Sequence, residues 1–62
     1  MIKYRHIKSG KIYFVIGFAL NSTNKDDGQK MVIYRPENNP DTIFVREMNE
    51  FGKKFESMEW KN

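Results

Sequence analysis

The stretch KIYFVIGFAL, residues 11–20, decides the fold class of this chain. Both sets of alternate positions in it are largely apolar, and β-branched and aromatic residues are frequent, which is typical of a central strand covered on both faces. A ten-residue apolar run can also form a helix, but Gly17 argues against one. A glycine inside a strand favours a bend or a bulge, a device that curls a small sheet.

Turn signals on both sides of this stretch divide the chain into further short strands. The dipeptides at residues 9–10 and 27–28 are typical of turns, and Pro36 stops the strand before it. Met48 and Phe51 are spaced three apart, as in a helical turn that places two apolar side chains on a barrel mouth. We predict strands at residues 1–5, 31–35, 42–46 and 53–58, a loop at 21–29, and one helical turn near 47–51 that Gly52 ends.

Several short strands connected by turns predict an all-β protein. We expect one domain, residues 1–62, in which about five short strands close into a small SH3-like barrel, because closure hides the edges of the sheet. The alternative is an α+β domain with a helix at residues 46–54.

Composition limits the chemistry that one chain can perform. The 62 residues include one histidine, His6, and no cysteine, so a disulfide or a multi-histidine metal site cannot form within the chain. Nucleophile–base pairs are also missing. We therefore expect no enzyme activity, no catalytic residue, no metal and no cofactor, and we expect His6 to pack or to make a backbone hydrogen bond. No run approaches the roughly 20 apolar residues of a membrane span, and the composition fits a cytoplasmic protein.

Positive charge is concentrated in the first half of the chain. Residues 1–35 hold seven bases and two acids, a net charge of +5, whereas residues 36–62 hold four bases and six acids, a net charge of −2. We call the following residues the basic strip: Lys3, Tyr4, Arg5, Lys8 and Lys11. The strip would attract polyanions by counterion release, with Tyr4 and Tyr13 stacking on bases, which predicts nucleic-acid binding as an alternative function. The structural alternative is a solvated edge that keeps a strand from pairing with other chains.

Short motifs follow one another along the chain in a recognisable order. They are Tyr4-Arg5-His6, Tyr13 with Val15, Val32-Ile33-Tyr34-Arg35, Val45-Arg46 and Phe55-Glu56. In their order and spacing, from Tyr4 to Glu56, the chain resembles a family of very small bacterial and phage proteins, domain-of-unknown-function family 1653. Glu47 stands where that family usually has proline, and the loop at 21–29 is longer and lacks the family's His-Ser-Glu. The resemblance implies a small fold and a bacterial or phage origin, and it implies no particular reaction.

The placement of Phe14 and Phe18 bears most directly on function. Bulk alone favours burying both side chains. The resemblance implies exposure instead, because the family has polar residues at positions matching Phe14 and sometimes Phe18. The core row of the strand would then be Tyr13, Val15, Gly17 and Ala19. Phe14 and Phe18 would lie together on an outer face, which predicts an interface; the alternative is that both are core, or are covered by Met58 and Trp60.

An exposed aromatic pair without catalytic groups predicts a non-enzymatic module that docks on another protein. Arg35 and Arg46 end neighbouring predicted strands, where two guanidinium groups can grip a phosphate or a carboxylate. The alternative is that each arginine pairs with a nearby acid on the surface. The predicted protein-binding residues are Phe14, Phe18, Arg35 and Arg46. A phage-encoded protein of this kind would act on a host factor in the host cytoplasm; the sequence leaves the oligomeric state open.

Overall fold

Five antiparallel strands form one sheet in the computed structural model, which describes residues 2–58 of the chain. The elements are β1 (Ile2–His6), β2 (Ile12–Asn21), β3 (Gln29–Pro36), β4 (Phe44–Glu47), α1 (Met48–Lys54) and β5 (Phe55–Ser57), with a short 3-10 turn at Asn24–Asp26. The strand order across the sheet is β4-β3-β2-β1-β5. The strand predicted from residues 11–20 is therefore central, as its two apolar rows indicate. Trp60, one of the two side chains that could cover Phe14 and Phe18, lies outside the described residues.

The sheet curls strongly without closing. In a flat sheet the first and fifth strands would be roughly 19 Å apart, yet the guanidinium carbon of Arg46 in β4 lies 5.8 Å from the ring centre of Phe55 in β5. Within residues 2–58 no strand pairing joins these two edges. The fold is thus mostly β, as predicted, but the closed SH3-like barrel is not confirmed. Helix α1 connects β4 to β5 and covers the concave face instead.

Helix α1 is longer than the predicted helical turn. It begins at Met48 and continues through Gly52 to Lys54, so the prediction that Gly52 ends the turn is wrong. A glycine inside a helix costs about 1 kcal/mol relative to alanine, which does not stop a helix that packing holds in place. That packing comes from Phe51, which is buried in the core.

An extra residue in β2 changes which of its side chains face the core. Val15 lies opposite Tyr34, but Gly17 lies opposite Ile33, so Ile16 is the extra residue of a β-bulge. The bulge next to Gly17 confirms the irregularity predicted there. Because residues directly opposite each other share a face, the alternation of side chains shifts by one position after Val15.

The predicted core row of β2 is correct only before this bulge. Tyr13 and Val15 lie on the concave face, where Val15 is buried. Gly17 pairs with Ile33 on the convex face instead, and Ala19 is exposed. Phe18 lies opposite the buried Val32, so its side chain is on the concave face. In a strand without a bulge, Gly17 and Ala19 would lie on that face instead.

The core is an aromatic cluster between the sheet and α1. Its buried members are Val15, Val32, Tyr34, Phe51 and Phe55, with Tyr4, Tyr13 and Met48 packed around them. Phe51 stacks on Phe55 with ring centres 4.2 Å apart, and the edge contacts of Phe51 with Tyr4 and Tyr34 are both 5.1 Å. Aromatic pairs of this kind contribute about 0.5–1.5 kcal/mol each beyond their buried area. The helix is therefore attached to the sheet mainly through Phe51.

Glycines allow the two predicted turns to form. Gly10 and Gly28 have φ angles of 76° and 84°, in the left-handed region that glycine adopts without a steric penalty. In the turn between β1 and β2, the Ser9 N–H donates to Nδ1 of His6 at 3.2 Å. The expected backbone hydrogen bond of His6 is therefore present, and it holds the turn together.

No helix in residues 2–58 has the length and apolar character that crossing a membrane requires.

The side chain of Glu47 caps the N-terminus of α1, and this role can be tested by substitution. At the N-terminus of α1 its carboxylate accepts hydrogen bonds from the backbone N–H groups of Asn49 at 2.8 Å and Glu50 at 3.0 Å. We expect Glu47→Ala to lower the free energy of unfolding by about 1 kcal/mol and the melting temperature by roughly 4–8 °C, as measured by circular dichroism. Glu47→Asp, which keeps a capping carboxylate, should lose less; equal losses in the two variants would contradict the capping role.

Candidate functional site

A groove of about 350 Å³ opens between the concave face of the sheet and α1. Its walls include Ile2, Tyr4, Val15, Phe18, Met48 and Phe51. We call this feature the apolar groove, since the Tyr4 hydroxyl is the one polar side-chain group among these walls. The bottom is core, formed by Val15 and Phe51, and the rim is open to solvent.

Phe18 and Leu20 lie at the exposed end of the apolar groove. Their side chains are 63% and 68% exposed, although both are large and apolar. Phe18 and Met48 also line a shallower depression beside Leu20 and Lys30, so the apolar surface continues beyond the groove. Contiguous exposed apolar surface on a small protein is characteristic of an interaction site.

Charged side chains of both signs lie next to this surface. Lys30 lies directly opposite Leu20 in the sheet, and the exposed Lys53 follows Gly52, which also lines the groove. No acidic side chain lines the apolar groove or the depression that continues it, within residues 2–58. Glu47 lines a neighbouring opening together with Lys30 and Met48, so the surface is apolar with Lys30 and Glu47 beside it.

Phe14 lies on the opposite face of the sheet from Phe18. It pairs with Arg35, whose guanidinium carbon is 4.9 Å from the centre of the Phe14 ring on the convex face. The prediction that Phe14 and Phe18 share an outer face is wrong, because the extra residue Ile16 between them shifts the alternation. Phe14 is half-buried under Arg35, and Phe18 is the exposed member of the pair.

Arg46 is held on the concave face by two hydrogen bonds. Its Nε donates to the Tyr34 hydroxyl at 3.1 Å and its Nη1 to Glu50 Oε1 at 2.6 Å. The hydrogen bond with Tyr34, opposed in part by burial, raises the pKa of Arg46 above its ordinary value. Arg46 therefore stays charged at any physiological pH. Its contact with Glu50 is a surface ion pair, the alternative to an anion-binding clamp that the sequence left open.

The structure does not bring Arg35 and Arg46 together into a clamp. Arg35 lies on the convex face beside Phe14, whereas Arg46 lies on the concave face beside Tyr34. The two strands are neighbours, as predicted, but residues on opposite faces of a sheet point away from each other.

The basic strip is divided between two faces as well. Lys3 and Arg5 lie on the convex face, where each contacts an acid from later in the chain: Lys3 Nζ is 3.8 Å from Glu37, and Arg5 pairs with Glu56. These contacts reduce the positive charge that a polyanion would meet at these two residues.

The remaining members of the basic strip differ in exposure. Tyr4 lies on the concave face and packs edge-on against Phe51 in the core, so its ring is not presented together with Lys3 and Arg5. Lys8 and Lys11 are exposed, in the turn between β1 and β2 and just before β2. The strip therefore does not form one continuous surface.

A second opening, of about 420 Å³, is lined by polar and apolar side chains together. Lys11, Tyr13, Glu37, Asn38 and Phe44 are among the residues that line it. Nowhere in residues 2–58 do three histidine or acidic side chains come together as metal ligands would. The apolar groove is thus the more distinctive feature of the surface.

Part of this groove could be predicted from the sequence. Leu20 is two positions from Phe18 in the same apolar row, so the two share a face wherever β2 is regular. Ile2 and Met48 come from distant parts of the chain. Their contribution follows from the pairing of β1 with β2 and from the course of α1, which no local pattern specifies.

Comparison with known proteins gives one match. The model of the family described as "Protein of unknown function (DUF1653)" matches residues 2–61, nearly the whole chain. No curated protein and no solved structure matches it. The order of short motifs had indicated this family, and the match confirms it.

Paired variants test whether Phe18 is a surface residue rather than a core residue. We expect Phe18→Ser to change the free energy of unfolding by no more than about 0.5 kcal/mol, as is usual for exposed positions. Phe51→Ala should cost about 3–5 kcal/mol, a large part of the roughly 3–9 kcal/mol that stabilises a chain of this length. Urea unfolding followed by circular dichroism measures both values. Similar losses for the two variants would show that Phe18 belongs to the core.

Proposed function

The chain belongs to the DUF1653 family, and we propose that it is a non-enzymatic module that binds another protein through the apolar groove. The observation that supports this most strongly is the exposure of Phe18 and Leu20 beside the groove. A chain of this size buries only about 60% of its unfolded surface, so its stability depends on the few large apolar residues it has. Leaving two of them in water at the mouth of a groove suits a surface that a partner covers.

The proposed occupant is an apolar protein segment flanked by acidic residues. Small polar metabolites are oriented by several convergent polar groups, and the walls of the apolar groove supply little beyond the Tyr4 hydroxyl. Apolar side chains of a partner can fill the groove against Phe18 and Met48. Lys30, which lines the depression beside the groove, would attract an acid next to those side chains and so favour one orientation of the segment.

The expected binding energy comes mainly from Phe18 and Leu20. Burying a large apolar side chain completely contributes about 1.5–3 kcal/mol, and about 1.4 kcal/mol corresponds to a tenfold change in affinity. Removing the Phe18 ring should therefore weaken binding at least about tenfold. Phe14, Arg35 and Arg46, which the sequence also indicated, lie outside this surface and are not needed for it.

A selection from displayed random peptides tests the proposal directly. We expect peptides selected on the wild-type protein to contain two or more large apolar residues with aspartate or glutamate beside them. Synthetic copies should bind wild-type protein at least about tenfold more tightly than the Phe18→Ser variant, as measured by isothermal titration calorimetry. Lys30→Glu should bind the peptides more weakly than the wild-type protein at low salt, because the proposed charge complementarity is then reversed.

The matched control is Ile7→Ser, which changes another exposed apolar residue, in the turn between β1 and β2, and should leave peptide affinity unchanged. Selected peptides that bind wild-type and Phe18→Ser protein equally would disprove the proposal. If decanoate binds the groove and no peptide does, the occupant is a lipid chain and the proposed protein partner is wrong.

Nucleic-acid binding through the basic strip is the alternative proposal. Its support is the exposure of Lys8 and Lys11, since Lys3 and Arg5 already have acidic neighbours. If it is correct, a fluorescent single-stranded oligonucleotide should bind at about 50 mM salt, where electrostatic attraction is strong, and be released as salt is raised. Lys8→Glu with Lys11→Glu should abolish that binding. No binding by the wild-type protein at low salt would eliminate this alternative.

A further inference from the structure

A small pocket lies on the concave face, in the gap between β4 and β5, the two edges of the sheet that do not pair with each other. Its volume is about 250 Å³, and the side chains that line it are His6, Tyr13, Tyr34, Phe44, Arg46 and Phe55. We call it the edge pocket. None of these residues lines the apolar groove, so the proposed protein-binding function leaves the edge pocket without a role.

Aromatic rings form the floor and one side of the edge pocket. The floor is Tyr34 and Phe55, which are buried in the core with their ring centres 5.3 Å apart. Tyr13 stands edge-on to both rings, at 5.6 and 5.4 Å. Phe44 lies 5.5 Å from Tyr34 and is 40% exposed. Walls of this kind pack well against a flat apolar ring.

The polar groups of the edge pocket are able to donate hydrogen bonds. Nδ1 of His6 accepts the Ser9 N–H at 3.2 Å, which leaves the proton of the neutral imidazole on Nε2. The Tyr34 hydroxyl accepts from Nε of Arg46 at 3.1 Å and so keeps its own proton to donate. Nη2 of Arg46 and the Tyr13 hydroxyl make no hydrogen bond within residues 2–58.

These donors come from four different strands. β1, β2, β3 and β4 contribute one each: His6, Tyr13, Tyr34 and Arg46. A mostly apolar pocket with a few convergent polar groups is typical of a site for a small molecule. Because the groups converge as donors, the ligand must supply acceptors.

The charge at the edge pocket indicates which acceptor fits. Arg46 is the one Lys, Arg, Asp or Glu side chain among its lining residues. Nη1 of Arg46 is paired with Glu50, an exposed residue of α1 that does not line the pocket. The opening of about 420 Å³ beside it is lined by Lys11 and Glu37, whose charges are opposite. One guanidinium group, partly balanced by Glu50, suits the single negative charge of a carboxylate better than the double charge of a phosphate.

We propose that the edge pocket binds a small molecule that carries a carboxylate on a flat apolar ring. The carboxylate oxygens accept hydrogen bonds from Nη2 of Arg46 and from the neighbouring hydroxyl and imidazole donors. A hydrogen bond between a guanidinium group and a carboxylate is roughly twice as strong as one between neutral groups, so Arg46 contributes most to the preference for an anion. The ring of the ligand packs against the aromatic side chains of the pocket.

A titration with benzoate tests the proposal. His6 is the only histidine of the chain, so its ring signals in a proton NMR spectrum are identified directly. At constant pH and ionic strength, benzoate should shift these signals saturably, with a dissociation constant of about 1 mM because so small a ligand makes few contacts. Benzamide has nearly the same shape without the charge and should bind at least about tenfold more weakly.

Three results of this titration would overturn the proposal. The first is His6 signals that stay unshifted up to about 20 mM benzoate, well above the expected dissociation constant. The second is equal affinity for benzoate and benzamide, which would show that the pocket does not recognise the charge. The third is saturable binding of inorganic phosphate without binding of benzoate, which would make the ligand a phosphate compound.

Substitutions locate the binding to the edge pocket. Arg46→Gln should raise the dissociation constant for benzoate at least about tenfold. The matched control is Arg35→Gln, the same change on the convex face of the neighbouring strand, which should leave it unchanged. Tyr13→Phe removes only a hydroxyl and should raise it about threefold. Phe18→Ser, in the apolar groove, should have no effect, which separates this site from the proposed protein-binding surface.

Circular dichroism confirms that each variant is folded. Equal benzoate affinity of the wild-type protein and Arg46→Gln overturns the proposal, and so does an equal loss in Arg46→Gln and Arg35→Gln. If Arg46→Gln does not fold, Tyr13→Phe decides, because a benzoate affinity that this variant leaves unchanged overturns the proposal as well.

Discussion

The packing of Phe51 against the aromatic core is the interaction on which the rest of the structure depends. A five-stranded sheet with one apolar face is stable only if something covers that face. Here the cover is a seven-residue helix, too short to be stable by its own propensity. It is anchored by the stack of Phe51 on Phe55 and its N-terminus is capped by Glu47. Without that anchor the concave face would lie open along its whole length.

A helix this short cannot cover all of the concave face, and the uncovered part is the apolar groove. Phe51 packs against Tyr34 in the core, whereas Phe18 stays 63% exposed although Met48 of α1 lines the same groove. The bulge at Ile16 is what turns Phe18 toward this side. One extra backbone residue thus separates two phenylalanines that the regular pattern would place together. The groove results from this bulge combined with the length of the helix.

The parts of the fold that depend on neighbouring residues in the sequence were predictable. The strand at residues 11–20, the glycine turns and the irregularity beside Gly17 all follow from local patterns. The face on which Phe18 lies did not follow, because one inserted residue reverses the alternation and its exact position is set by pairing with β3. The open sheet was missed for a similar reason. Whether β4 pairs with β5 or is only connected to it by α1 depends on long-range packing. That packing holds Phe51 and Gly52 in a helix, although neither residue type has a high helix propensity.

The distribution of apolar residues explains why the apolar groove is the candidate binding surface of this small protein. Within residues 2–58 five apolar side chains are buried, whereas nine large ones are exposed. Scattered exposed residues are ordinary, but Phe18 and Leu20 lie together beside the groove. These two side chains border a depression that apolar groups of a partner can fill. A partner that fills the depression would therefore cover the part of the concave face that α1 leaves open.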